Sequence, residues 1–173
     1  ADRGNARKTV LYASQPSTGD DADHRLQVIA ELRRIAAKRD DWEVRIRLHP
    51  NEAPDPDWIK PPFRCNRNAA LVEVLSDADA LVTHGSTVGI EAALSGLPVV
   101  LQLGSQIASQ CRFADYGIAS KNEVIGGLEA AIERALGQDH NSAGSRTFGM
   151  PANAIGNVVA ELEAMTVGVA HAA

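Results

Sequence analysis

Aromatic residues and cysteine are scarce in this chain. Phe, Trp and Tyr make up 4% of its 173 residues, whereas 45% of the residues are hydrophobic. The core must therefore consist mainly of Ala, Val, Leu and Ile, and small aliphatic side chains let helices pack closely on a sheet. The two cysteines, Cys65 and Cys111, form no C-x-x-C pair, so neither a zinc site nor a disulfide framework is indicated. We expect both to be reduced thiols.

Long apolar runs, a secretion signal and an excess of positive charge are also missing. No run approaches the roughly 20 apolar residues of a membrane span, and no N-terminal stretch combines a basic start, an apolar middle and a cleavage site. We therefore expect a cytoplasmic protein. The formal net charge of −5 argues against nucleic acid as a partner, since proteins that bind its phosphate backbone usually carry a basic face.

Strand and helix patterns alternate along the chain. Alternating or continuous apolar runs predict strands at 9–14, 42–48, 63–65, 80–83 and 98–103. Apolar residues at helical spacing predict helices at 24–38, 69–76, 88–95 and 152–165. Repeated β–α units with short buried strands predict an α/β fold, a Rossmann-like parallel sheet with helices on both faces of a single domain. We expect that domain to span 9–165, between an N-terminal tail or linker (1–8) and a frayed C-terminal tail (166–173).

The region after the fifth predicted strand is harder to interpret. Residues 104–117 are rich in Gln and Ser and predict no particular element. Further on, Ser120-Lys-Asn-Glu123 fits a capping box, in which Ser and Glu side chains satisfy the first backbone amides of a helix. This pattern predicts a helix that begins at Ser120 and runs through Leu136.

The most informative segment follows the strand at 80–83. In parallel sheets, ligands bind beyond the carboxyl ends of the strands, and here His84, Gly85, Ser86 and Thr87 form a turn that leads directly into a helix. Free backbone N–H groups and hydroxyls at such a turn can bind an anion, and Gly85 allows close approach of a ligand. Glu91 lies one helical turn beyond Thr87, where a carboxylate can accept hydrogen bonds from ribose hydroxyls. Alternatively, Ser86 only caps the helix and Glu91 is a solvated surface residue.

Other strand ends carry weaker signals. His49 follows the strand at 42–48 and can donate a hydrogen bond to a phosphate oxygen, and Ser17 and Thr18 follow the first strand in a polar loop that can close over a nucleotide. The sequence contains no G-x-G-x-x-G, Walker or G-x-S-x-G motif and no cluster of metal-ligand residues. We therefore predict no cofactor and no metal, and no residue stands out as catalytic. Polar residues that could contact a sugar follow the fifth strand: Gln102, Ser105, Gln106, Ser109 and Gln110.

Three segments together resemble the C-terminal donor domain of GT-B-type bacterial glycosyltransferases. The similarity is greatest to the capsule, teichoic-acid and sialic-acid polymer enzymes, which carry a His-Pro pair at one strand end and a Ser-Ser or Ser-Thr turn before a Glu-containing helix. The corresponding segments here are 47–52 (RLHPNE), 78–99, which contains HGST, EA and GLPV, and 151–154 (PANA), which resembles that family's closing Gly-Asn-Ala helix.

The resemblance implies a donor-binding domain for a nucleotide-activated sugar in the synthesis of a surface polysaccharide or cell-envelope glycan. It implies that His49 contacts the donor phosphates, that Ser86 and Thr87 hold the diphosphate, and that Glu91 binds the ribose. An N-terminal acceptor-binding domain, which usually supplies the catalytic base, would be missing. The full-length enzyme would then be compatible with peripheral membrane association, and the isolated chain would be inactive. The alternatives are half of a UDP-sugar 2-epimerase, which shares this architecture, and a non-catalytic nucleotide-binding or interaction module.

Overall fold

The computed structural model describes residues 7–16, 19–53, 58, 60–65 and 68–137. Predicted features at Ser17, Thr18 and the closing helix 152–165 lie outside these residues. Within the described part, strands and helices alternate except that the third strand follows the second directly. They are β1 (Lys8–Ala13), α1 (Asp20–Lys38), β2 (Trp42–Arg47), β3 (Arg64–Cys65), α2 (Leu71–Ser76), β4 (Ala80–Thr83), α3 (Val88–Leu94), β5 (Val99–Gln102), α4 (Gln106–Gln110), β6 (Ser120–Asn122) and α5 (Leu128–Leu136).

The strands form one sheet in the order β3-β2-β1-β4-β5-β6, and every pairing in it is parallel. This confirms the predicted Rossmann-like α/β fold. The order also contains a switch point. From β1 the chain proceeds outward to β2 and β3, then returns to place β4 on the other side of β1. Loops that follow β1 and β4 therefore diverge at the carboxyl edge, and the crevice between them is where such sheets bind ligands.

Helices cover both faces of the sheet, as the sequence predicts. On one face, apolar side chains of α1 and α5 pack on alternate residues of the central strands, among them Val10, Val44 and Val82. On the opposite face, α2 and α3 pack on the intervening residues, such as Leu11 and Leu81. Because both faces are covered, every residue of β4 is buried, and burial of this kind is why its first three residues, Ala80–Val82, are continuously apolar rather than alternating.

The predicted helix start at Ser120 is wrong. Residues Ser120–Asn122 are strand β6, paired with Val100–Gln102 of β5, and α5 begins only at Leu128. A hydrogen bond and a backbone conformation explain this. The side-chain amide of Asn122 donates to Gln102 Oε1 at 2.6 Å, which holds β6 on the sheet. The backbone of Gly126 then has a φ of 95°, a left-handed conformation that interrupts any helix begun earlier.

The first turn of α5 is capped from another helix rather than by its own sequence. Glu31 of α1 is buried, and its carboxylate accepts the N–H of Gly126 at 2.8 Å and of Leu128 at 3.0 Å. These are amides that a helix cannot satisfy internally at its N-terminus. The carboxylate of Glu31 therefore replaces Glu123 in the role that the capping box predicted.

The segment that the sequence left unassigned, 104–117, contains the short helix α4. Ser105 caps it, since its Oγ accepts the N–H of Ala108 at 3.0 Å. Neither Cys65 nor Cys111 forms a disulfide within the described residues. No helix in the described part of the chain is long and apolar enough to cross a membrane.

Candidate nucleotide-phosphate site at the switch point

The His84–Thr87 turn lies at the carboxyl end of β4, beside the switch point. Gly85 has a φ of 123°, a conformation that favours glycine. The hydroxyl oxygen of Thr83, the last residue of β4, accepts the N–H groups of Gly85 at 3.3 Å and Ser86 at 3.0 Å. Ser86 is buried, and its own Oγ accepts the N–H of Val88 at 3.4 Å. The backbone amides expected to be free are therefore mostly paired inside the turn.

The part of the turn that a ligand can reach is centred on Thr87, which is exposed. Thr87 and Gly85 border a cavity of about 500 Å³ that also contacts the helix α3 and the segment after α4. Glu91, by contrast, borders a separate groove of about 520 Å³ between α2 and α3. That groove reaches Asp79 and Pro98, which directly precede β4 and β5, so it extends toward the amino edge of the sheet. Thr87 and Glu91 thus share a helix but border different cavities.

His84 points its ring into the interior of the switch point. It is 5% exposed, and its ring meets those of Tyr12 at 5.7 Å and His24 at 5.3 Å, both edge to face. Burial, reinforced by the charges of His24 and Arg25 and opposed by Asp21, lowers the pKa of His84 to about 4. The imidazole is therefore neutral at pH 7, since desolvation disfavours the protonated form.

Several buried polar atoms around this pair have no hydrogen-bond partner within the described part of the chain. They are Tyr12 Oη, Gln15 Oε1, His24 Nε2, Arg25 Nε and His84 Nε2. They come from β1, the loop after it, α1 and the turn after β4, which is to say from both sides of the switch point. Burial of polar atoms is costly unless a partner is present, so a concentration of unpaired atoms at the expected ligand edge marks a site that a polar ligand would complete.

His49 lies at the same edge, at the end of β2, and its orientation is fixed by its neighbours. The N–H of Asn51 donates to His49 Nδ1 at 3.2 Å, so in the neutral ring the proton resides on Nε2. The N–H of His49 donates to Glu52 Oε2 at 2.7 Å. As expected from the strand-end position, His49 therefore presents a hydrogen-bond donor at the carboxyl edge.

Glu52 connects the strand ends and was not identified from the sequence as a functional residue. Its carboxylate is buried and accepts the hydroxyl of Ser14 at 2.9 Å, and it also pairs with the guanidinium of Arg25. Together with its bond to His49, these contacts join the ends of β1 and β2 to α1. His24, Arg25 and Tyr12 were missed in the same way. They lie in a predicted helix and a predicted strand, and nothing in their spacing shows that they meet.

Two of the polar residues predicted to contact a sugar make contacts within the fold: Gln102, which ends β5, and Gln106, through its backbone amide. Gln102 is buried and, besides holding Asn122, donates to the carbonyl of Leu103 at 2.8 Å. The N–H of Gln106 donates to Asp21 Oδ1 at 2.6 Å, which ties the loop before α4 to the start of α1.

Comparison with known proteins adds fold information. No protein-family profile and no curated protein matches the chain. Among solved structures, the spinosyn rhamnosyltransferase SpnG complexed with spinosyn aglycone superposes with a TM-score of 0.63 at 18% identity, covering 94% of this chain and 47% of that one. The calicheamicin glycosyltransferase CalG4 gives 0.61 at 20% identity, covering 94% and 43%.

An epimerase shares the fold as well. UDP-GlcNAc 2-epimerase from Methanocaldococcus jannaschii, solved with UDP-GlcNAc and UDP, gives a TM-score of 0.58 at 13% identity and covers 79% of this chain and 40% of that one. The chain thus spans less than half the length of each of these proteins. Its six-stranded parallel sheet has the fold of one half of a GT-B glycosyltransferase, a fold that UDP-GlcNAc 2-epimerases also contain.

Proposed function

We propose that the chain binds the diphosphate of a nucleotide-activated sugar at the carboxyl edge of its sheet, as the donor-binding half of a glycosyltransferase. The observation that carries this proposal is the group of buried, unpaired polar atoms at the switch point between β1 and β4. Imidazole and guanidinium nitrogens are suited to the oxygens of a phosphate. The GT-B fold supports the same ligand class, because relatives by fold are glycosyltransferases.

Within this proposal, most of the predicted site residues have a defined task. His84 and His49 donate from their Nε2 atoms to phosphate oxygens, and the amide and hydroxyl of Thr87 donate to the same group. Ser86 shapes the turn and offers its hydroxyl. Glu91, although it borders a different groove from Thr87, is assigned to the ribose hydroxyls on the strength of the family resemblance. The donor is itself a substrate, so the proposal includes no further cofactor.

The wider role rests on the His49-Pro50 pair and the Ser86-Thr87 turn, through which the sequence resembles bacterial capsule and wall-polymer enzymes. We propose that the product is a surface polysaccharide or cell-envelope glycan made in the bacterial cytoplasm, where an acceptor domain completes the enzyme. Transfer requires donor and acceptor to be held together. The chain alone should therefore bind a donor without transferring its sugar.

A UDP-sugar 2-epimerase half is the second candidate, favoured by the fold match to such an enzyme. Epimerisation needs carboxyl groups free to move protons beside the sugar. Two described carboxylates close to the switch point are already engaged. Glu52 is bound by Ser14, Arg25 and the amide of His49, and Asp21 is bound by the amide of Gln106. This engagement makes the transferase the stronger candidate.

The test is calorimetric titration of the chain with UDP, CDP, CMP, GDP and their sugar derivatives, after thermal-shift screening, since ligands that bind only the folded state raise the melting temperature. In His49→Ala, His84→Ala and Thr87→Ala, loss of one hydrogen bond to a charged group should weaken binding about ten- to hundredfold. Ser120→Ala, at the amino end of β6 on the opposite edge of the sheet, is the control and should bind like the parent.

Glu91→Ala is tested separately, because Glu91 borders a different groove from Thr87. This variant should bind a ribonucleotide less tightly than the parent does, with a smaller loss for the deoxyribonucleotide. Equal losses for the two sugars would remove Glu91 from the site. Binding of no nucleotide by the folded parent, or parent-like binding by the His49, His84 and Thr87 variants, would contradict the proposed function.

A further inference from the structure

His24 has no part in the site as the sequence predicts it, yet it is the nearest aromatic partner of His84 at the switch point. The two rings lie 5.3 Å apart, almost perpendicular, and the Nε2 atom of each is buried without a partner. His24 belongs to α1 and His84 to the turn after β4, so the two imidazoles approach from opposite sides of the crevice.

The backbone of Gly104, in the loop after β5, packs against the ring of His24 and limits its position. A Cβ atom on Gly104 would lie 2.5 Å from His24 Cε1, and Gly104 has a φ of 112°. The loop that contains Gly104 is in turn attached to α1 by the bond from the Gln106 amide to Asp21 at 2.6 Å. Glycine at this position therefore leaves just enough room for the imidazole of His24 to rest against the loop and against His84.

Two ionised side chains of α1 act on His84 in opposite directions, because Arg25 lowers its pKa and the carboxylate of Asp21 raises it. Arg25 is paired with the buried Glu52, and Asp21 accepts the Gln106 amide. Burial raises the pKa of Tyr12, so that its hydroxyl remains neutral. Burial and the charge of His24 disfavour the protonated form of His84, and an anion bound beside the pair favours it, because opposite charges attract.

We propose that His24 and His84 form a two-imidazole anion site that takes up one proton when a phosphate group binds. Identification of the anion as the diphosphate of a nucleotide rests on the proposed function, whereas the coupling of anion and proton does not. On binding, one of the two imidazoles takes up a proton from solvent and becomes an imidazolium, and both Nε2 atoms donate to phosphate oxygens. His24 thus becomes a second ligand-binding residue, and affinity for a dianion rises as the pH falls.

Sulfate is the appropriate probe, because it remains a dianion across the pH range in which imidazoles titrate. NMR titration of the histidine Cε1–H resonances, assigned from His24→Gln and His84→Gln, should show both rings responding to sulfate, and the pair should take up its proton at a higher pH when sulfate is bound. One linked proton allows affinity to change by up to about tenfold per pH unit. Either His→Gln variant should flatten that dependence.

Gly104→Ala provides a variant that retains both histidines. Its Cβ atom should push His24 away from His84 and flatten the pH dependence of sulfate binding, while circular dichroism reports whether the fold is retained. Sulfate that moves neither resonance, or that binds the parent and His24→Gln with the same pH profile, would overturn the inference. Nucleotide binding with no proton uptake, measured by calorimetry in buffers of different ionisation enthalpy, would also overturn it while leaving the proposed function standing.

Discussion

Replacement of Glu31 by alanine tests how the last described helix of the fold is held in place. The carboxylate of Glu31 is 5% exposed and accepts two backbone amides at the start of α5, from Gly126 at 2.8 Å and Leu128 at 3.0 Å. Without it, both N–H groups lose their acceptor, and the Leu128 amide is left in a buried position. A hydrogen bond to a charged group contributes about 1.5–3 kcal/mol.

The two bonds share one carboxylate, so their contributions do not simply add. We expect Glu31→Ala to lower the free energy of unfolding by about 3 kcal/mol. For a chain of this size that corresponds to a fall of roughly 6–12 °C in melting temperature. Glu31→Gln keeps one oxygen acceptor but turns an amide donor toward the other N–H, so its loss should be smaller. The assay is urea denaturation followed by circular dichroism.

Glu123→Ala is the matched control, because Glu123 is exposed and is the residue to which the capping-box pattern assigned the same task. Its stability should equal that of the parent within experimental error. If Glu123→Ala were destabilised as much as Glu31→Ala, or if Glu31→Ala lost less than about 1 kcal/mol, α5 would be capped locally and the reasoning would be refuted.

Three further changes test the packing and electrostatics of the site. Glu52→Gln leaves the partly buried guanidinium of Arg25 without its charge partner and should lower the unfolding free energy by about 2 kcal/mol in urea; an unchanged midpoint would contradict this. Gly89→Ala places a Cβ atom 2.8 Å from Phe113 Cε2 and should cost about 1–3 kcal/mol, and the smaller side chain of Phe113→Leu should restore part of that loss. Because the pKa of His84 is lowered from 6.5 to about 4 by folding, the unfolded chain binds a proton first as the pH falls. Stability should therefore decline between about pH 6.5 and about pH 4, by up to about 3 kcal/mol, and His84→Gln should show a shallower decline in urea midpoints.

The amino-acid sequence by itself determines the layered α/β fold and the edge at which a ligand would bind. β4 is buried at every position because both of its faces are covered, and the continuous apolar run Ala80–Val82 predicts this burial from the sequence alone. β2 alternates buried Trp42, Val44 and Ile46 with partly buried charged residues, which is a local property of a strand. The strand-end positions of His49 and the His84–Thr87 turn follow from the same patterns, because parallel strands share one carboxyl edge.

Only the tertiary structure decided which side chains complete these elements. Ser120–Glu123 satisfies the local rule for a helix start, but pairing with β5 and the cap supplied by Glu31, 95 residues from Gly126 along the chain, override it. His24 meets His84, and Glu52 joins Ser14 to Arg25, through contacts between elements that no spacing in the sequence encodes. Local patterns report which face of an element is buried, whereas a binding site depends on which elements become neighbours, and in this protein that is set by the crossover that places β4 beside β1.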